Sequence, residues 1–556
     1  MIMLVLIMAA GAEAIFFPEE AENGMVVTRC PHASRVGVRV LEQGGNAIDA
    51  AVATGFALAV TQPSAGNLGG GGFLLYYEAK SGEVHALDYR ETAPAKATRD
   101  MFVGKDGKVD QDLARWSHQS AGVPGTVAGF DAALNRFGTM SLAEAVAPAI
   151  PLAKEGFPIP PNLGRALAKA REPLAKWEAS KAVFLDAQGA PHRAGHLLVQ
   201  KDLARTLEDI AREGPDGFYR GRVAKLLVEE MQRHGGLISH EDLAAYKPVF
   251  RKPVQGEYKG HTVYSMPPPS SGGIHLIQML KMLEKDDLGG LGHNSAASIH
   301  LMTEAMRRAF ADRSKFLGDP DVVEVPVAGL LSAGYVQGLR NSIDPDRASK
   351  SRDVRPGKPP GAESFETTTF CVVDKEGNAV SNTYTLNAAF GSGIVVAGAG
   401  FLLNNEMDDF SAQPGAPNLF GLVGGEANAI APGKRMLSSM TPTIVTREGK
   451  PILVTGAVGG PRIITAVLQV VLNVLDHGLN VQEAINAPRI HHQWLPDTLW
   501  VEPGVSPDTI RLLRDRGHKV EVGAPKSNAA AIFIDRGKGT LEGAGDPRRD
   551  GVAAGY

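Results

Sequence analysis

Three consecutive threonines, Thr367, Thr368 and Thr369, stand at the head of an apolar segment, shortly after a Pro/Gly-rich stretch at 351–362. A threonine hydroxyl is a weak nucleophile, but a free α-amine on the same residue can act as its base. At Thr367 that amine exists only if the Glu366–Thr367 bond is cut. Because threonine is also a common strand former, the spacing alone is compatible with a nucleophile and with an ordinary strand start.

Signatures of other chemistries are missing or incomplete. The sequence contains no G-x-S-x-G, H-E-x-x-H or G-x-x-x-x-G-K-[ST] motif. The segment NLGGGGF at 67–73 lacks the lysine and hydroxyl residue of a phosphate loop and predicts close backbone packing instead. His491 and His492 are neighbours in sequence, so in a strand their side chains would point to opposite faces and could not bind the same metal ion. The acidic run at 404–410 lacks EF-hand spacing and fits a solvated or a substrate-facing loop. We therefore expect no metal and no cofactor.

The helices and strands that must position these residues are predicted in separate groups along the sequence. Residues 45–60 are apolar on nearly all sides and rich in alanine, which indicates a buried helix. The glycine loop leads into a predicted hairpin, and residues 100–250 are mostly helix and loop. A long helix is predicted at 293–313 and another near 464–475, while TTTFCVVD and AVSNTYTL predict strands joined by a KEGN turn. Blocks of strands and helices favour a layered α+β fold over a doubly wound sheet.

Composition excludes several classes of protein. The 556 residues carry 57 Lys plus Arg and 61 Asp plus Glu, a net charge of −4, which gives no reason to expect nucleic acid or an anionic membrane as partner. Hydrophobic residues at 44% and charged residues at 21% are ordinary for a globular chain. Two cysteines, Cys30 and Cys371, cannot build a disulfide framework.

The N-terminus predicts export. An apolar run from Ile2 to Ala10 precedes Ala12-Glu13-Ala14, a small-x-small pattern typical of a signal-peptidase site, although the basic n-region is missing. Alternatives are a short apolar tail or a start codon placed inside a longer signal. We expect a signal segment at 1–14 and a soluble periplasmic or secreted protein, because no later stretch reaches 18 apolar residues.

Several blocks in order resemble one known family. GGNAIDAA, NLGGGGF, DYRETAPAKATRDMF, EAMRRAFADR, ETTTFCVVDKEGNAVSNTYTLN, LLNNEMDDF, LVGGEANAIAPGKRMLSSMTPTIV and GGPRIITAVLQVVLN are similar to the γ-glutamyltransferase (γ-glutamyl transpeptidase) family. The resemblance covers nearly the whole chain after residue 24. It implies the N-terminal-nucleophile hydrolase fold, a four-layer αββα sandwich. It also implies a precursor that cleaves itself into a large subunit (15–366) and a small subunit (367–556), which stay together as a heterodimer.

The resemblance also implies roles for individual residues. Thr367 matches the nucleophile, and Thr385 the residue that hydrogen-bonds it. Pro414 to Gly425 matches a lid over the site, with Phe420 as an aromatic gate. The other matched residues are Arg90 for the substrate α-carboxylate, Ser438 and Ser439 as an assisting pair, Asn387, Glu406 and Asp409 around the α-ammonium group, and Gly459 and Gly460 as the oxyanion hole.

The implied activity is that of a glutathione hydrolase and γ-glutamyltransferase. A γ-glutamyl-threonine acyl-enzyme would pass the glutamyl group to water, an amino acid or a peptide. One alternative is a cephalosporin or glutaryl acylase on the same scaffold, against which the Asp409 carboxylate beside Glu406 argues, since unpaired carboxylates in a pocket for a neutral acyl chain are costly. Another is a non-catalytic solute-binding relative, which would remain one uncleaved chain.

Overall fold

The computed structural model describes residues 16–357, 368–413 and 418–556. The predicted signal segment at 1–14, the Glu366–Thr367 bond and Thr367 itself lie outside the described residues, as do residues 414–417 of the predicted lid.

The described strands, in chain order, are β1 (Glu19–Ala21), β2 (Met25–Thr28), β3 (Gly71–Glu78), β4 (Glu83–Tyr89), β5 (Phe157–Pro158), β6 (Leu197–Leu198), β7 (Val249–Arg251), β8 (Val254–Tyr258), β9 (His261–Ser265), β10 (Thr368–Val373), β11 (Ala379–Thr385), β12 (Thr443–Arg447), β13 (Lys450–Val458), β14 (Ile490–His491), β15 (Leu499–Val501), β16 (Val520–Val522), β17 (Asn528–Asp535), β18 (Thr540–Gly545) and β19 (Val552–Gly555).

The described helices are α1 (Pro31–Glu42), α2 (Ala47–Thr61), α3 (Gln111–Trp116), α4 (Thr126–Phe137), α5 (Leu142–Val146), α6 (Ala149–Lys154), α7 (Pro161–Lys169), α8 (Arg171–Leu174), α9 (Glu178–Phe184), α10 (Lys201–Glu213), α11 (Asp216–Tyr219), α12 (Arg222–His234), α13 (His240–Ala245), α14 (Gly272–Leu283), α15 (Leu288–Leu291), α16 (Ala296–Phe316), α17 (Val327–Leu330), α18 (Ala333–Asn341), α19 (Arg462–Leu475), α20 (Val481–Asn486) and α21 (Pro507–Asp515).

Two large antiparallel sheets form the centre of the molecule. One has the order β1-β18-β17-β13-β12-β9-β8, and the other has the order β19-β2-β10-β11-β3-β4-β7. Because successive side chains of a strand point to opposite faces, β10 contributes residues to two hydrophobic cores. Its Phe370 and Val372 pack among residues of α1, α2 and α4, and its Cys371 and Val373 pack against the other sheet.

The other sheet has the same two-faced character. Ile444 and Val454 belong to the core between the sheets, whereas Val445 and Leu453 pack against α14, α16 and α19. The order of layers is therefore helices, sheet, sheet and helices. The four-layer αββα sandwich and the α+β class predicted from the sequence are confirmed.

Segments from both sides of the predicted cleavage point build each sheet. Strand β10 pairs with β2 on one edge and with β11 on the other, and β11 pairs in turn with β3. At the C-terminus, β19 pairs with β2. Three of these ladders, β10 with β2, β11 with β3 and β19 with β2, join a strand before residue 358 to a strand after residue 367. Cutting one bond between residues 358 and 367 therefore leaves their hydrogen bonds in place.

The individual elements agree well with the sequence pattern. The buried helix predicted at 45–60 is α2, which a capping box starts at Asn46 and Asp49. The predicted long helix is α16, capped by Ser295 rather than starting at residue 293. Cys30 and Cys371 are both buried and free. Among the described residues, no helix combines the length and apolarity needed to cross a membrane.

Candidate active site

The end of β11 carries the first candidate site residue, Thr385. Thr368, the first described residue of β10, pairs with Tyr384, so Thr385 is the next residue beyond that ladder. The Thr385 carbonyl accepts a hydrogen bond from Asn67 Nδ2 at 2.8 Å. A Cβ on Gly70 would lie 1.9 Å from the same carbonyl oxygen. The loop at 67–73 therefore packs its backbone against the candidate site, as its glycines predicted.

Thr385 also fixes the residue that follows. Its Oγ1 accepts a hydrogen bond from the Asn387 N–H at 2.7 Å. Asn387 lies in the left-handed region with φ of 71°, and its Nδ2 donates to the Asn405 carbonyl at 2.9 Å. The Asn387 Oδ1 is buried and accepts no hydrogen bond from a described residue. A buried amide oxygen without a donor is costly, so this atom fits a ligand that carries N–H groups.

Arg90 is the centre of the charged part of the site. It follows β4 directly and is fully buried. Its Nη2 lies 2.6 Å from Asp409 Oδ2, and its Nη1 lies 2.7 Å from Glu406 Oε2. Its Nε donates to the Met436 carbonyl at 3.1 Å. The structure thus brings Arg90 together with two predicted site residues that lie more than 300 positions further along the chain, and each end of the Arg90 fork already contacts a carboxylate.

A fourth charged residue, Glu91, belongs to this cluster and was missed in the sequence analysis. Its Oε2 lies 3.4 Å from Arg90 Nη1, and its buried Oε1 accepts no hydrogen bond from a described residue. The only signal in the sequence was its position next to Arg90 in DYRE. With Glu91 included, three buried carboxylates surround one guanidinium.

The excess of acidic groups is visible in their pKa values. Burial raises the pKa of Glu406 to about 8, with repulsion from Glu91 adding to the effect of burial. Burial also raises the pKa of Glu91 to about 7. The pKa of Asp409 lies well above its ordinary value because of burial and the nearby Glu406. Burial opposes the charge of Arg90, but its three carboxylates outweigh burial and raise its pKa. An added cation would relieve this imbalance.

Ser438 and Ser439 lie beside the same cluster. Both are fully buried, and the residue before them, Leu437, offers its carbonyl to Arg90 Nη2 at 3.4 Å. The Ser438 carbonyl accepts a hydrogen bond from the Ser271 N–H at 2.8 Å. The Ser439 Oγ accepts one from Arg313 Nη2 at 3.1 Å, a partner that the sequence did not indicate. The two serines therefore directly follow a carbonyl that Arg90 contacts, and each of them is held by a hydrogen bond.

Gly459 and Gly460 form the turn between β13 and α19. Their φ angles are +126° and +72°, both in the region that favours glycine. A Cβ on Gly459 would lie 2.5 Å from the Lys526 carbonyl oxygen, so no other residue fits there without displacement of the backbone. Neither N–H of this pair donates to a described residue in the hydrogen bonds of the turn. Two adjacent backbone donors of this kind can stabilise a developing oxyanion.

A cavity of about 890 Å³ is lined by Thr385, Asn387, Gly459, Gly460 and Phe420. Arg90, Glu406 and Asp409 do not line it, but Asn387, which does, donates a hydrogen bond to the carbonyl of Asn405, the residue before Glu406. The described part of the predicted lid closes one side.

The lid is attached to the acidic turn at 404–410. The Leu419 N–H donates to Asp408 Oδ2 at 3.0 Å, and the Phe420 N–H donates to Asn418 Oδ1 at 3.0 Å. Asn418 Nδ2 also reaches Asp409 Oδ1 at 3.4 Å. Glu406, Asp408 and Asp409 are all buried, so the solvated alternative for 404–410 is wrong, and the substrate-facing alternative stays a prediction. Arg90 and Arg115 supply the charges that permit this burial.

Two groups of potential metal ligands occur in the described residues, away from the cavity wall. They are His118 with Glu230 and His234, and His300 with Glu304 and His518. Glu304 already pairs with Arg307 and Arg308, and His300 Nδ1 lies 2.8 Å from His518 Nε2. Neither group includes a predicted site residue.

Comparison of the sequence and of the structure with known proteins identifies related chains. A family model described as Gamma-glutamyltranspeptidase matches residues 33–556. The glutathione hydrolase proenzyme of Escherichia coli (strain K12) is 53% identical over 546 residues, which cover 98% of this chain and 94% of the relative. The cephalosporin acylase of Bacillus halodurans superposes with a TM-score of 0.87 at 31% identity over 97% of both chains. The gamma-glutamyltranspeptidase of Helicobacter pylori gives a TM-score of 0.59 at 48% identity, over 59% of this chain and 94% of that one.

Proposed function

The chain belongs to the gamma-glutamyltranspeptidase family, and from this membership we propose that it is a glutathione hydrolase and γ-glutamyltransferase. It cleaves the γ-glutamyl amide of glutathione and related compounds. It passes the glutamyl group to water or to the amine of an amino acid or peptide.

The observation that carries this function is the buried cluster of one guanidinium and three carboxylates. A γ-glutamyl group presents an α-carboxylate and an α-ammonium side by side. The planar fork of Arg90 suits the carboxylate. Glu406 and Asp409, which lie 2.7 and 2.6 Å from that fork, suit the ammonium. Binding of this zwitterion adds one cation to a cluster that holds an excess of acidic groups, and Asn387 Oδ1 offers a further acceptor.

The proposed chemistry begins with cleavage of the Glu366–Thr367 bond. The Thr367 hydroxyl then attacks the γ-carbonyl carbon of the substrate, and the free amine of Thr367 takes its proton, directly or through water. The carbonyl oxygen becomes an oxyanion, which the N–H groups of Gly459 and Gly460 stabilise. The C–N bond breaks, the leaving amine takes a proton, and an ester to Thr367 remains. Water or an acceptor amine then attacks that ester and releases the hydroxyl.

Thr385 is proposed to support the nucleophile. Strand β10 begins at Thr368, whose partner in β11 is Tyr384. Thr385, the last residue of β11, therefore lies beside the start of β10. We assign its hydroxyl the task of orienting the Thr367 hydroxyl. Ser438 and Ser439 are assigned to the substrate α-carboxylate, because they directly follow Leu437, whose carbonyl accepts a hydrogen bond from Arg90 Nη2.

The mature protein is proposed to be a heterodimer of residues 15–366 and 367–556. Relatives named proenzymes fit two chains from one precursor, and the shared sheets give the physical reason why the pieces stay together. We further propose that residues 1–14 direct export, so that the enzyme acts in the periplasm or outside the cell.

The acylase alternative fits the cluster poorly. A glutaryl chain carries a carboxylate but no ammonium group, so the carboxylates of Glu91, Glu406 and Asp409 would stay in excess around Arg90 at a cost of several kcal/mol. The cephalosporin acylase is also the more distant relative, at 31% identity against 53% for the glutathione hydrolase. A non-catalytic binding protein would not need two adjacent glycines at positive φ whose N–H groups donate to no described residue of the turn.

A donor comparison tests the function. Purified mature protein should release glutamate from glutathione, and added glycylglycine should divert part of the product to γ-glutamyl-glycylglycine. Glutaryl-p-nitroanilide, which lacks the α-amine, should be turned over far more slowly than γ-glutamyl-p-nitroanilide. Equal rates on the two anilides would favour the acylase, and no turnover of glutathione by a correctly cleaved protein would refute the proposal.

A further inference from the structure

Three potential metal ligands meet where helix α12 ends. Glu230 and His234 are four positions apart on α12, so their side chains share one face of the helix. His118 begins a short helical turn, His118–Ser120, and lies 112 positions before Glu230. One nitrogen of each imidazole and one oxygen of the carboxylate lie within 4.8 Å of one another. These three residues are called the His–Glu–His cluster below.

The spacing within the His–Glu–His cluster suits a single ion. Glu230 Oε1 lies 3.1 Å from His118 Nε2 and 3.6 Å from His234 Nε2. In a tetrahedral site with bonds of about 2.1 Å, two ligand atoms lie about 3.4 Å apart. The two measured distances fall on either side of that value, so small movements of the side chains are enough to bind an ion.

Aromatic packing fixes the two imidazoles. The ring of Trp177 lies 4.7 Å from that of His118 and 5.3 Å from that of His234, nearly perpendicular to both. The two imidazoles stack on each other with their centroids 4.6 Å apart. The His118 side chain is 1% exposed, whereas that of His234 is 39% exposed. The ligands are therefore held in place by their surroundings, and an ion can enter from solvent beside His234.

The charge of Glu230 favours a cation. Burial opposes this charge, but a hydrogen bond from His118 and the charges of His118, His234 and Arg233 outweigh burial and lower the pKa of Glu230. Arg233 Nη1 lies 3.6 Å from Oε2, whereas Oε1 is the oxygen nearest to the two imidazoles. Two imidazoles and one carboxylate suit zinc, copper and nickel ions, while calcium and magnesium prefer oxygen ligands alone.

The second group of potential ligands lacks these properties. His300, Glu304 and His518 are all buried. Glu304 pairs with Arg308 at 2.6 Å and with Arg307 at 3.2 Å. Two guanidinium groups already neutralise this carboxylate and would repel a metal ion, so this group is not a metal site.

The position of the His–Glu–His cluster gives a bound ion something to stabilise. On one side of His118 in the sequence, Arg115 Nε lies 3.1 Å from Asp408 Oδ1. On the other side, the Gly122 N–H donates to Asn404 Oδ1 at 2.8 Å. The segment 115–122 therefore supports the acidic turn at 404–410 from both of its ends, and His118 lies between the two contacts.

We propose that His118, Glu230 and His234 bind a divalent transition-metal ion of the zinc class, which has a structural role. The ion joins the turn at His118 to the end of α12 and so stabilises the segment that supports the acidic turn. None of the three ligands lines the cavity beside the glycine pair. All three precede the predicted cleavage point, so the site depends neither on cleavage nor on the proposed function.

Zinc binding by untagged protein tests the site. After a chelator has removed bound metals, calorimetric titration with Zn²⁺ should show one strong site per chain. A Zn²⁺ concentration 100 to 1,000 times the Kd should raise Tm by about 2–4 °C. Because loss of even an outer-shell partner costs about 10- to 100-fold in metal affinity, His234→Ala and Glu230→Gln should each weaken zinc binding by at least about 100-fold. Both should also abolish the rise in Tm.

The variants and their control are chosen to keep the fold. His234 is the last residue of α12 and partly exposed, and Glu230→Gln keeps the size of the side chain, so both metal-free variants should have the far-UV circular dichroism of the wild type. His240→Ala removes an exposed histidine outside the cluster and should leave both zinc affinity and the rise in Tm unchanged.

Three results would overturn the proposal. The first is a wild-type protein without a strong zinc site. The second is zinc affinity that stays at the wild-type value in His234→Ala and Glu230→Gln, or that falls equally in His240→Ala, since either would place the bound zinc elsewhere. The third is zinc that binds to the cluster but leaves Tm unchanged, which would refute the structural role. None of these results bears on the turnover of γ-glutamyl donors, so they leave the proposed function standing.

Discussion

Replacement of Asp409 by asparagine isolates the charge that the account assigns to the substrate ammonium. Asp409 Oδ2 lies 2.6 Å from Arg90 Nη2 and is fully buried. Asparagine keeps the shape but removes the negative charge, and one hydrogen bond to a charged group is worth about 1.5–3 kcal/mol. The kcat/KM for γ-glutamyl-p-nitroanilide should therefore fall about 10- to 150-fold.

The fold should tolerate this change. Arg90 keeps Glu406 and Glu91 as partners, at 2.7 and 3.4 Å, so no guanidinium is left unpaired. Because the pKa of Asp409 is raised in the folded state, its ionised form opposes folding, and its removal should leave the melting temperature unchanged or higher.

Two comparisons make the test specific. Glutaryl-p-nitroanilide lacks the amine and should lose little or gain in the Asp409→Asn variant. Asp408→Asn alters the neighbouring buried carboxylate, which pairs with Arg115 at 3.1 Å instead of Arg90, and should cost much less on the γ-glutamyl donor. Equal losses on both anilides would mean that Asp409 acts structurally, and the reasoning about the ammonium site would be refuted.

Three further changes probe the rest of the site. Arg90→Lys keeps one charge but loses the planar fork, so KM for the γ-glutamyl anilide should rise about 10- to 150-fold with a smaller change in kcat; an unchanged KM would exclude Arg90 from carboxylate binding. Glu406 has a pKa of about 8 in the free protein and a bound ammonium favours its ionised form, so KM should rise as pH falls from about 8 to 6, and Glu406→Gln should flatten that dependence; an identical pH profile would contradict the assignment. Gly459→Ala, which would place Cβ 2.5 Å from a backbone oxygen, should lower kcat by about 10²- to 10³-fold; Gly449→Ala, at a turn with open space, is the control and should leave kcat near wild type.

The elements of the fold followed from local pattern. The apolar run at 45–60 became α2, because a helix buried on all sides needs no polar face. The glycines at 67–73 predicted close backbone approach, and Gly70 meets the Thr385 carbonyl as expected. The alternation in TTTFCVVD became β10 with one face toward each core.

The contacts of the site could not be predicted in this way. Arg90 and Asp409 are 319 residues apart, and no periodicity relates them. From the sequence, the acidic turn that contains Asp409 could face either solvent or a substrate. The arginines that permit its burial, Arg90 and Arg115, lie far from it in the sequence. The excess of acidic groups to which Glu91 contributes depends on the same distant contacts, because Glu406 and Asp409 reach it only in the folded chain. The assignment of Thr367 as nucleophile came from the resemblance and stays a prediction.

The most direct test of the account is the N-terminal sequence of the small chain, measured together with the Thr367→Ala variant. Wild-type protein should separate on a denaturing gel into a large chain and a 190-residue chain (556 − 366) that begins Thr-Thr-Thr-Phe. The variant should be soluble, uncleaved and inactive on γ-glutamyl-p-nitroanilide, because one hydroxyl performs both attacks, and Thr367→Ser should recover part of both activities. A small chain with a different N-terminus, or a Thr367→Ala protein that still matures and turns over substrate, would place the nucleophile elsewhere and contradict the account.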